Sequence, residues 1–493
     1  MDQEHQPLVS ARLPAKKRFK QEVSVLATLG GPIVVTQLLQ MATLVLDTMM
    51  SGQSSALDLA GVSIGGSIWM PVFLFALGVI FALTPIVAHF NGAGDFDKIA
   101  PAVHQAFWIA LVAGVITWAM LFNIAPLLGL LNINREIMPV TVGYLQAISF
   151  GMPAILGYNV LRCYADGLSL TKPAMLASII GLAVNAPLNY VLIYGKCGLP
   201  ALGGVGCGWA SAIALWISFI FMAGYVSLTR HFRHAWLFDR CYGPNWQQIK
   251  EQLKLGLPTG FMYLIEASMF SVIALFLAEF GKVVVAAHQI ALNVATVVFM
   301  VPLSVGLAIT IRVGFLLGAG EAVGARFSAY SGISLTLLYG TVAGLALWFF
   351  ATPVVTLYTA EAAVRDLAVQ LITLAALFQL ADSIQVTCAG ALRGYKDTKI
   401  PMLVMIVAFW MFSFPLGYTL GMTNWLGRTW EAKGFWLGLL VGLMLAAAML
   451  SYRLYKLSQR SIAQNLALSP SAIDKTHQAP QPPAGLNPAG GER

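Results

Sequence analysis

The chain has 493 residues, of which 58% are apolar and only 10% charged, with a formal net charge of +8. A soluble domain carries about 25% charged residues, so this composition cannot cover a water-exposed surface, and the mean hydropathy of +0.76 agrees. Disorder and nucleic-acid binding are excluded with it, because both demand polar or concentrated charged sequence. What remains is a polytopic membrane protein.

The first twenty residues, MDQEHQPLVSARLPAKKRFK, are polar and basic and lead into a long apolar stretch. A secretory signal would have a shorter apolar region and a small-residue cleavage site, so residues 1–24 read as a basic cytoplasmic tail. A spanning helix needs about 20 mainly apolar residues. That rule predicts twelve spans, at 25–50, 59–88, 102–124, 138–161, 174–194, 207–228, 254–279, 284–311, 328–350, 366–391, 401–422 and 434–455. Pro32, Pro71, Pro85, Pro153, Pro187, Pro258, Pro302 and Pro415 interrupt several of them. Such breaks are tolerated where neighbours or cavity water satisfy the freed backbone groups.

Orientation follows from Lys and Arg placement. With the N-terminus inside, the inner segments hold Lys98, Arg162, Lys172, Arg230, Arg233, Arg240, Arg312, Arg326, Arg393, Lys396 and Lys399, then Arg453, Lys456 and Arg460. The outer segments hold only Arg135, Lys196, Lys282, Arg365, Arg428 and Lys433. Both termini are therefore expected in the cytoplasm, with residues 457–493, which include QAPQPPAGLNPAGG, as a disordered tail. The five cysteines form no CxxC pair, so neither a metal site nor a disulfide framework is expected. Cys197 and Cys207 read as inert small residues.

A charged inner loop at 230–253 separates residues 25–229 from residues 254–456, and these halves resemble each other. Pro32 in TLGGP answers Pro258 in KLGLP, 226 positions on, and FNGAGD answers LLGAGE at 316–321. DGLSLTKPAM answers RGYKDTKIPM, with Gly167 and Gly394, and Lys172 and Lys399, each 227 apart. A nearly constant offset indicates an internal duplication. Six spans per repeat preserve orientation, so the two repeats are parallel and related by an axis along the membrane normal. A two-lobed body with a central cleft suits alternating access.

Three acidic residues fall inside spans: Asp47, Glu266 and Asp382. On insertion scales each costs roughly 2.5–3.5 kcal/mol at mid-membrane, about 8–10 kcal/mol for three if unrelieved. No Lys or Arg is expected at depth to pair with them, which leaves protons, metal cations or cationic ligands as counter-charges. The duplication sets Glu266 opposite Gln40 and Asp47 opposite the apolar Ile273, so the acids are local specialisations. Asn185 and Asn189 lie four apart on one face of span 5 and bracket Pro187. They suit either orientation of a carboxylate or cation, or inter-helix hydrogen bonding. His288 and Gln289 lie near the outer end of span 8, where His288 fits a structural role better than a proton shuttle. Met41, Met262, Phe261, Phe270 and Phe378 fall on expected interior faces, where flat cations would stack if these side chains are not simply helix packing.

These strings resemble a known family. LDTMMSGQSSALDLAGVSIGGSIWMPVF, VVAAHQIALNVATVVFMVPLSVGLAITIRVG and ADSIQVTCAGALRGYKDTKIPM are similar to the NorM-type branch of the multidrug and toxic compound extrusion (MATE) family. The resemblance covers about residues 25–455. It implies an all-α, twelve-helix, V-shaped transporter in the bacterial inner membrane that exports organic cations in exchange for H+ or Na+. It implies no cofactor beyond the coupling ion, and cationic small molecules and lipids as partners of a monomer. The family's ion-coupling acids fall on Asp47, Glu266 and Asp382, and its asparagine pair on Asn185 and Asn189. The expected substrate contacts are the three acids with Gln40, Phe261, Met262, Phe270 and Phe378. Some Na+-coupled members carry a tyrosine at the position of Phe378. Its missing oxygen weakens a Na+ site at Glu266 and Asp382, because hard cations want oxygen ligands, and this favours H+.

Three other readings compete. A lipid-linked oligosaccharide flippase of the wider superfamily would need an Arg- and Lys-rich cavity. A membrane-embedded enzyme would need HExxH, a Cys/His cluster or a GxSxG elbow between a strand and a helix; the first two do not occur, and the one GxSxG string, GVSIG at 61–65, falls inside the expected span 59–88. A major-facilitator antiporter would need a dense basic motif in the inner 2–3 loop, which here reads NGAGDFDKIA.

Overall fold

The computed structural model describes residues 14–130, 135–230, 232, 236–237, 240, 242–424 and 429–468. Among these residues the chain is helical throughout, with no β-strand. Eleven helices are long and apolar enough to span a membrane, and a twelfth span is a pair bent by 43°. The N-lobe contains α1 Ala15–Ser54, α2 Ala56–Ala93, α3 Phe96–Phe122, α4 (Met138–Ser149 and Met152–Gly167), α5 Lys172–Tyr194 and α6 Gly203–Leu228. The C-lobe contains α7 Trp246–Phe280, α8 Lys282–Gly318, α9 Ala322–Thr356, α10 Ala362–Gly394, α11 Lys399–Met422 and α12 Glu431–Leu468. A short helix, Ala125–Leu130, lies between α3 and α4.

Several helices extend past the apolar core that hydropathy detects. α1 begins at Ala15 rather than 25, and α12 runs to Leu468, so residues 457–468 are helical where a disordered tail was expected. α7 begins at Trp246 because the Asn245 side chain caps it, accepting from the backbone N–H groups of Gln247 and Gln248. Residues 1–13 and 469–493, with Arg233, Cys241 and Arg428, lie outside the described residues. The prolines act less uniformly than expected. Helices continue through Pro32, Pro71, Pro187, Pro258 and Pro302. The breaks occur at 81–82 ahead of Pro85, at 150–151 ahead of Pro153, and in a wide π turn over Ile406–Ser413 ahead of Pro415.

The duplication is visible in the backbone. Gly94 and Gly320 both turn left-handed, at φ 74° and 77°, and so do the non-glycine residues Ser169 and Lys396, at 67° and 60°. Each pair keeps the 226–227 offset, so the turns after α2 and α8, and after α4 and α10, are copies. Lys396 lies 5.9 Å from the Phe90 ring, and burial lowers its ammonium pKa below the usual lysine value.

The lobes meet at one end of the bundle. There Gly92 of α2 presses against the Phe315 carbonyl of α8, and Gly318 of α8 against the His89 carbonyl of α2. His89 and Phe315 are themselves repeat partners, so this contact is reciprocal and the pseudo-twofold axis passes between α2 and α8. On one side of the axis, α7 packs on α2, with Gly260 2.6 Å (ideal Cβ) from the Phe75 carbonyl and the rings of Phe75 and Phe261 5.1 Å apart. On the other side, α1 packs on α8, where a Cβ at Gly30 would lie 3.7 Å from that of Ala308. The start of α1 and the end of α12 lie at this same face. Arg18 stacks 4.2 Å above Phe327, and Asn465 donates to the Gly320 carbonyl at 2.7 Å. The lobes are therefore closed at the end where α1 begins and α12 ends.

Three arginines assigned to inner loops by sequence are instead buried in helices at this closed face. Arg162 of α4, Arg312 of α8 and Arg393 of α10 are all at least nine-tenths buried. Arg162 and Asp166 pair at 3.6 Å, and with Arg393 they line a small cavity between the lobes. Asp166 and Arg393 are repeat partners facing the same space.

The reciprocal glycine contact generates a prediction. Gly92→Ala drives a methyl into the Phe315 carbonyl, whereas Gly66→Ala meets nothing within 4 Å. Overpacking costs about 1–3 kcal/mol, while Ala in an open helical site gains up to about 1 kcal/mol. Melting of the purified protein should therefore fall for Gly92→Ala and hold or rise for Gly66→Ala. Equal behaviour would contradict the described contact.

Candidate functional site

The acidic residues fall into two separate places, one in each lobe. In the N-lobe, Asp47 lies on α1 two turns before its end and is 7% exposed. Its Oδ1 accepts from Asn189 Nδ2 at 2.5 Å, and its Oδ2 accepts from the Ser211 hydroxyl at 2.7 Å. Asn185 supports both donors. Its Nδ2 donates to Ser211 Oγ at 3.2 Å, and its Oδ1 accepts from Asn189 Nδ2 at 2.9 Å. The asparagines meet Asp47 because α5 is continuous through Pro187, which keeps residues 185 and 189 on one face.

Neighbouring contacts fix this geometry. Tyr194, at the end of α5, donates to the Met50 carbonyl of α1 at 3.0 Å. Asp58, in the first turn of α2, accepts from the Gly204 N–H of α6 at 2.6 Å. Cys207 of α6 lies 3.9 Å from the Asp47 carbonyl. Asn189 Oδ1 is buried with no hydrogen-bond partner, and so is Ser51 Oγ one turn after Asp47.

In the C-lobe, Glu266 of α7 is partly buried and Asp382 of α10 is 4% exposed. Their carboxylates lie within electrostatic reach of each other. Among the described residues neither has a hydrogen-bond or ion-pair partner, a different situation from the caged Asp47. Phe378, one turn before Asp382, is buried with its ring 5.9 Å from Trp436. It supplies packing at this position and no oxygen. Trp436 Nε1 also lies 3.2 Å from His288 Nδ1, which it holds as acceptor, so His288 has a structural partner.

The expected substrate contacts differ in exposure. Gln40 and Phe261 are exposed, Phe270 is partly buried, and Met262 is buried beside Thr259 and Pro401. Phe261 belongs to the closed seam through Phe75.

Sequence reading missed Ser211 and Cys207. The signal was present in CGWASAIALW, where Cys207 and Ser211 stand four apart on the same helix face. Small hydroxyl and thiol residues are so common in membrane helices that this spacing carries little weight without the partner helix.

The MatE family model matches residues 32–191 and 258–419, one match in each lobe. The chain is 42% identical over 459 residues to the multidrug resistance protein PmpM of Pseudomonas aeruginosa, covering 92% of this chain and 96% of that one. It is 41% identical over 451 residues to the multidrug resistance protein NorM of Photobacterium profundum, covering 92% and 99%. Among solved structures, the eukaryotic MATE transporter AtDTX14 superposes with a TM-score of 0.80 at 19% identity, covering 91% of this chain and 99% of that one. A variant of the Vibrio cholerae MATE transporter VcmN gives 0.80 at 18% identity, covering 90% and 98%. These structures share the fold, and the sequence matches settle the descent: the chain belongs to the MatE family.

Proposed function

We propose that the protein is a secondary active multidrug antiporter that exports organic cations in exchange for protons. The observation that carries this reading is the set of three span-embedded carboxylates with no basic partner among the described residues. A cationic drug and a proton are alternative counter-charges for such groups, so each displaces the other. Facing outward, a carboxylate takes up a proton and releases the drug; facing inward, it releases the proton and binds drug again. The curated relatives, named as multidrug resistance proteins, support this substrate class over a flippase or an enzyme. The placement is in the inner membrane of a bacterium, as a monomer with both termini in the cytoplasm. The Lys and Arg excess at the termini face supports that orientation.

Two acidic sites bear on the energetics. Exchange of one proton for a monovalent cation is electroneutral and yields about 1.4 kcal/mol per pH unit, roughly tenfold accumulation. A second proton makes the exchange electrogenic and adds about 2.3 kcal/mol per 100 mV, besides its own pH term.

The preference for protons rests on Phe378, which offers Asp382 no oxygen. Na+ is the second reading, favoured by the unpartnered Asn189 Oδ1 beside Asp47, because a hard cation gathers oxygens. Drug efflux from proteoliposomes under a pH gradient, with Na+ absent on both sides, distinguishes them. Efflux is expected there, and efflux that starts only with a Na+ gradient would overturn the proton assignment.

Substitutions test the sites. Asp47→Asn, Glu266→Gln and Asp382→Asn should each reach the membrane and lose export at least tenfold. Wild-type efflux from all three would remove the carboxylate mechanism. Ser211→Ala removes one of the two donors to Asp47, worth about 1.5–3 kcal/mol when the acceptor is charged. It should favour the protonated acid and move the pH dependence of efflux upward, while leaving expression intact. An unmoved profile would show that Ser211 does not tune Asp47.

A further inference from the structure

The helix that carries Asp47 belongs to both lobes. Beyond residue 37, α1 packs in the N-lobe: Gln37 accepts from Arg162 of α4, and Asp47 accepts from α5 and α6. Before residue 34 it packs in the C-lobe. Leu26, Leu29 and Ile33 are part of the C-lobe hydrophobic core, and Arg18 stacks on Phe327 of α9. In this first half, Glu22 meets Arg312 of α8. Arg312 Nε lies 2.8 Å from Glu22 Oε1 and its Nη2 3.1 Å from Oε2, with both side chains 0% exposed.

Three features set this pair apart. Of the ion pairs among the described residues, the other four are each confined to one lobe. The other polar contacts across the seam are of different kinds: Gln252 of α7 donates to the Ala102 carbonyl of α3 at 2.7 Å, Lys396 lies over the Phe90 ring, and Arg393 faces the Arg162–Asp166 pair across a small cavity without an ion pair between the lobes. The duplication also provides a second, equivalent seam, where α7 meets α2, and there the matching residues are Gln248 and Ile86. The ion pair is therefore not inherited scaffold but an addition to one seam of two.

We propose that Glu22 and Arg312 form a latch that holds the termini face closed and separates each time that face opens. The proposal rests on the alternating-access reading above. A desolvated ion pair suits the task because its net strength depends on the exclusion of water. When the lobes part, water reaches both charges and their hydration offsets the lost attraction, so the pair is firm when closed and not prohibitive to open. The same continuous helix carries Asp47 twenty-five residues further on, about 37 Å along the axis at 1.5 Å per residue. The carboxylate and the latch are thus joined by one continuous helix, with Pro32 between them.

The test joins the two positions covalently. Glu22→Cys/Arg312→Cys protein in proteoliposomes, bridged by a short reducible bis-thiosulfonate, should lose efflux at least tenfold and regain it on reduction. Wild-type protein, with its native cysteines, should be unaffected by the same treatment. Bridged protein that transports at its reduced rate would overturn the latch. A second measurement does not need transport. Spin labels on unnatural residues at the exposed positions 98 and 323, one per lobe, report the opening of this face by pulsed dipolar spectroscopy. Glu22→Gln should add a longer-distance population several-fold above wild type, and the exchanged pair Glu22→Arg/Arg312→Glu should reduce it. An unchanged distribution in both Glu22→Gln and Arg312→Gln would also overturn the proposal. Failure of the antiport reading shows differently, as absence of gradient-driven efflux in wild type while the distance shift persists.

Discussion

A carboxylate inside a low-dielectric span must be hydrogen-bonded, wetted or protonated, and the rest of this structure follows from how that demand is met. Asp47 is met by hydrogen bonds, with donors from α5 and α6 closing on both its oxygens. Glu266 and Asp382 are met otherwise. They have no donors among the described residues and lie within reach of each other, so two negative charges together are costlier than one. The first arrangement fixes a carboxyl in a defined geometry, and the second leaves its carboxyls to water, a proton or a cation. One chain thus carries two unlike acidic sites in lobes that are otherwise copies.

The copies meet through contacts only glycine permits. Gly92 and Gly318 bring α2 and α8 together about the pseudo-twofold axis, and the paired helices α1–α8 and α7–α2 flank them. Beside them Gln252 of α7 donates to the Ala102 carbonyl of α3 at 2.7 Å. Charge enters the seam in one place at full burial, between Glu22 and Arg312, and in the Arg162, Asp166 and Arg393 cavity close by. The symmetric scaffold gives the two lobes equivalent ways to rock, and the asymmetric charges distinguish one seam from the other.

Much of this was legible in the sequence, for definite reasons. Membrane spans declare themselves by length and hydropathy, and the repeat declared itself by a fixed offset that the left-handed turns at Ser169 and Lys396 reproduce. The pairing of Asp47 with Asn189 was only half legible: helical spacing put Asn185 and Asn189 on one face, but nothing in the sequence said that α1 would lie against it. Ser211 was missed for the same reason, because a cage assembled from three helices has no local signature. Arg312 was misread as a loop residue because hydropathy sees the last turns of α8 as the end of a span. The extra turns of α1 that bring Glu22 to it are too polar to register. Long-range charge pairs are where single-sequence reading fails, since neither partner's neighbourhood names the other.

The central claim is that drug and proton compete for these carboxylates, and calorimetry tests it without transport. Binding of a monovalent cationic dye to detergent-purified protein in Na+-free medium can be titrated in buffers of different ionisation enthalpy, which counts the protons released per cation bound. Competition predicts release of close to one proton or more near neutral pH, falling in Asp47→Asn or Asp382→Asn. Dye binding with the same affinity and no proton release, in wild type and both variants, would contradict it.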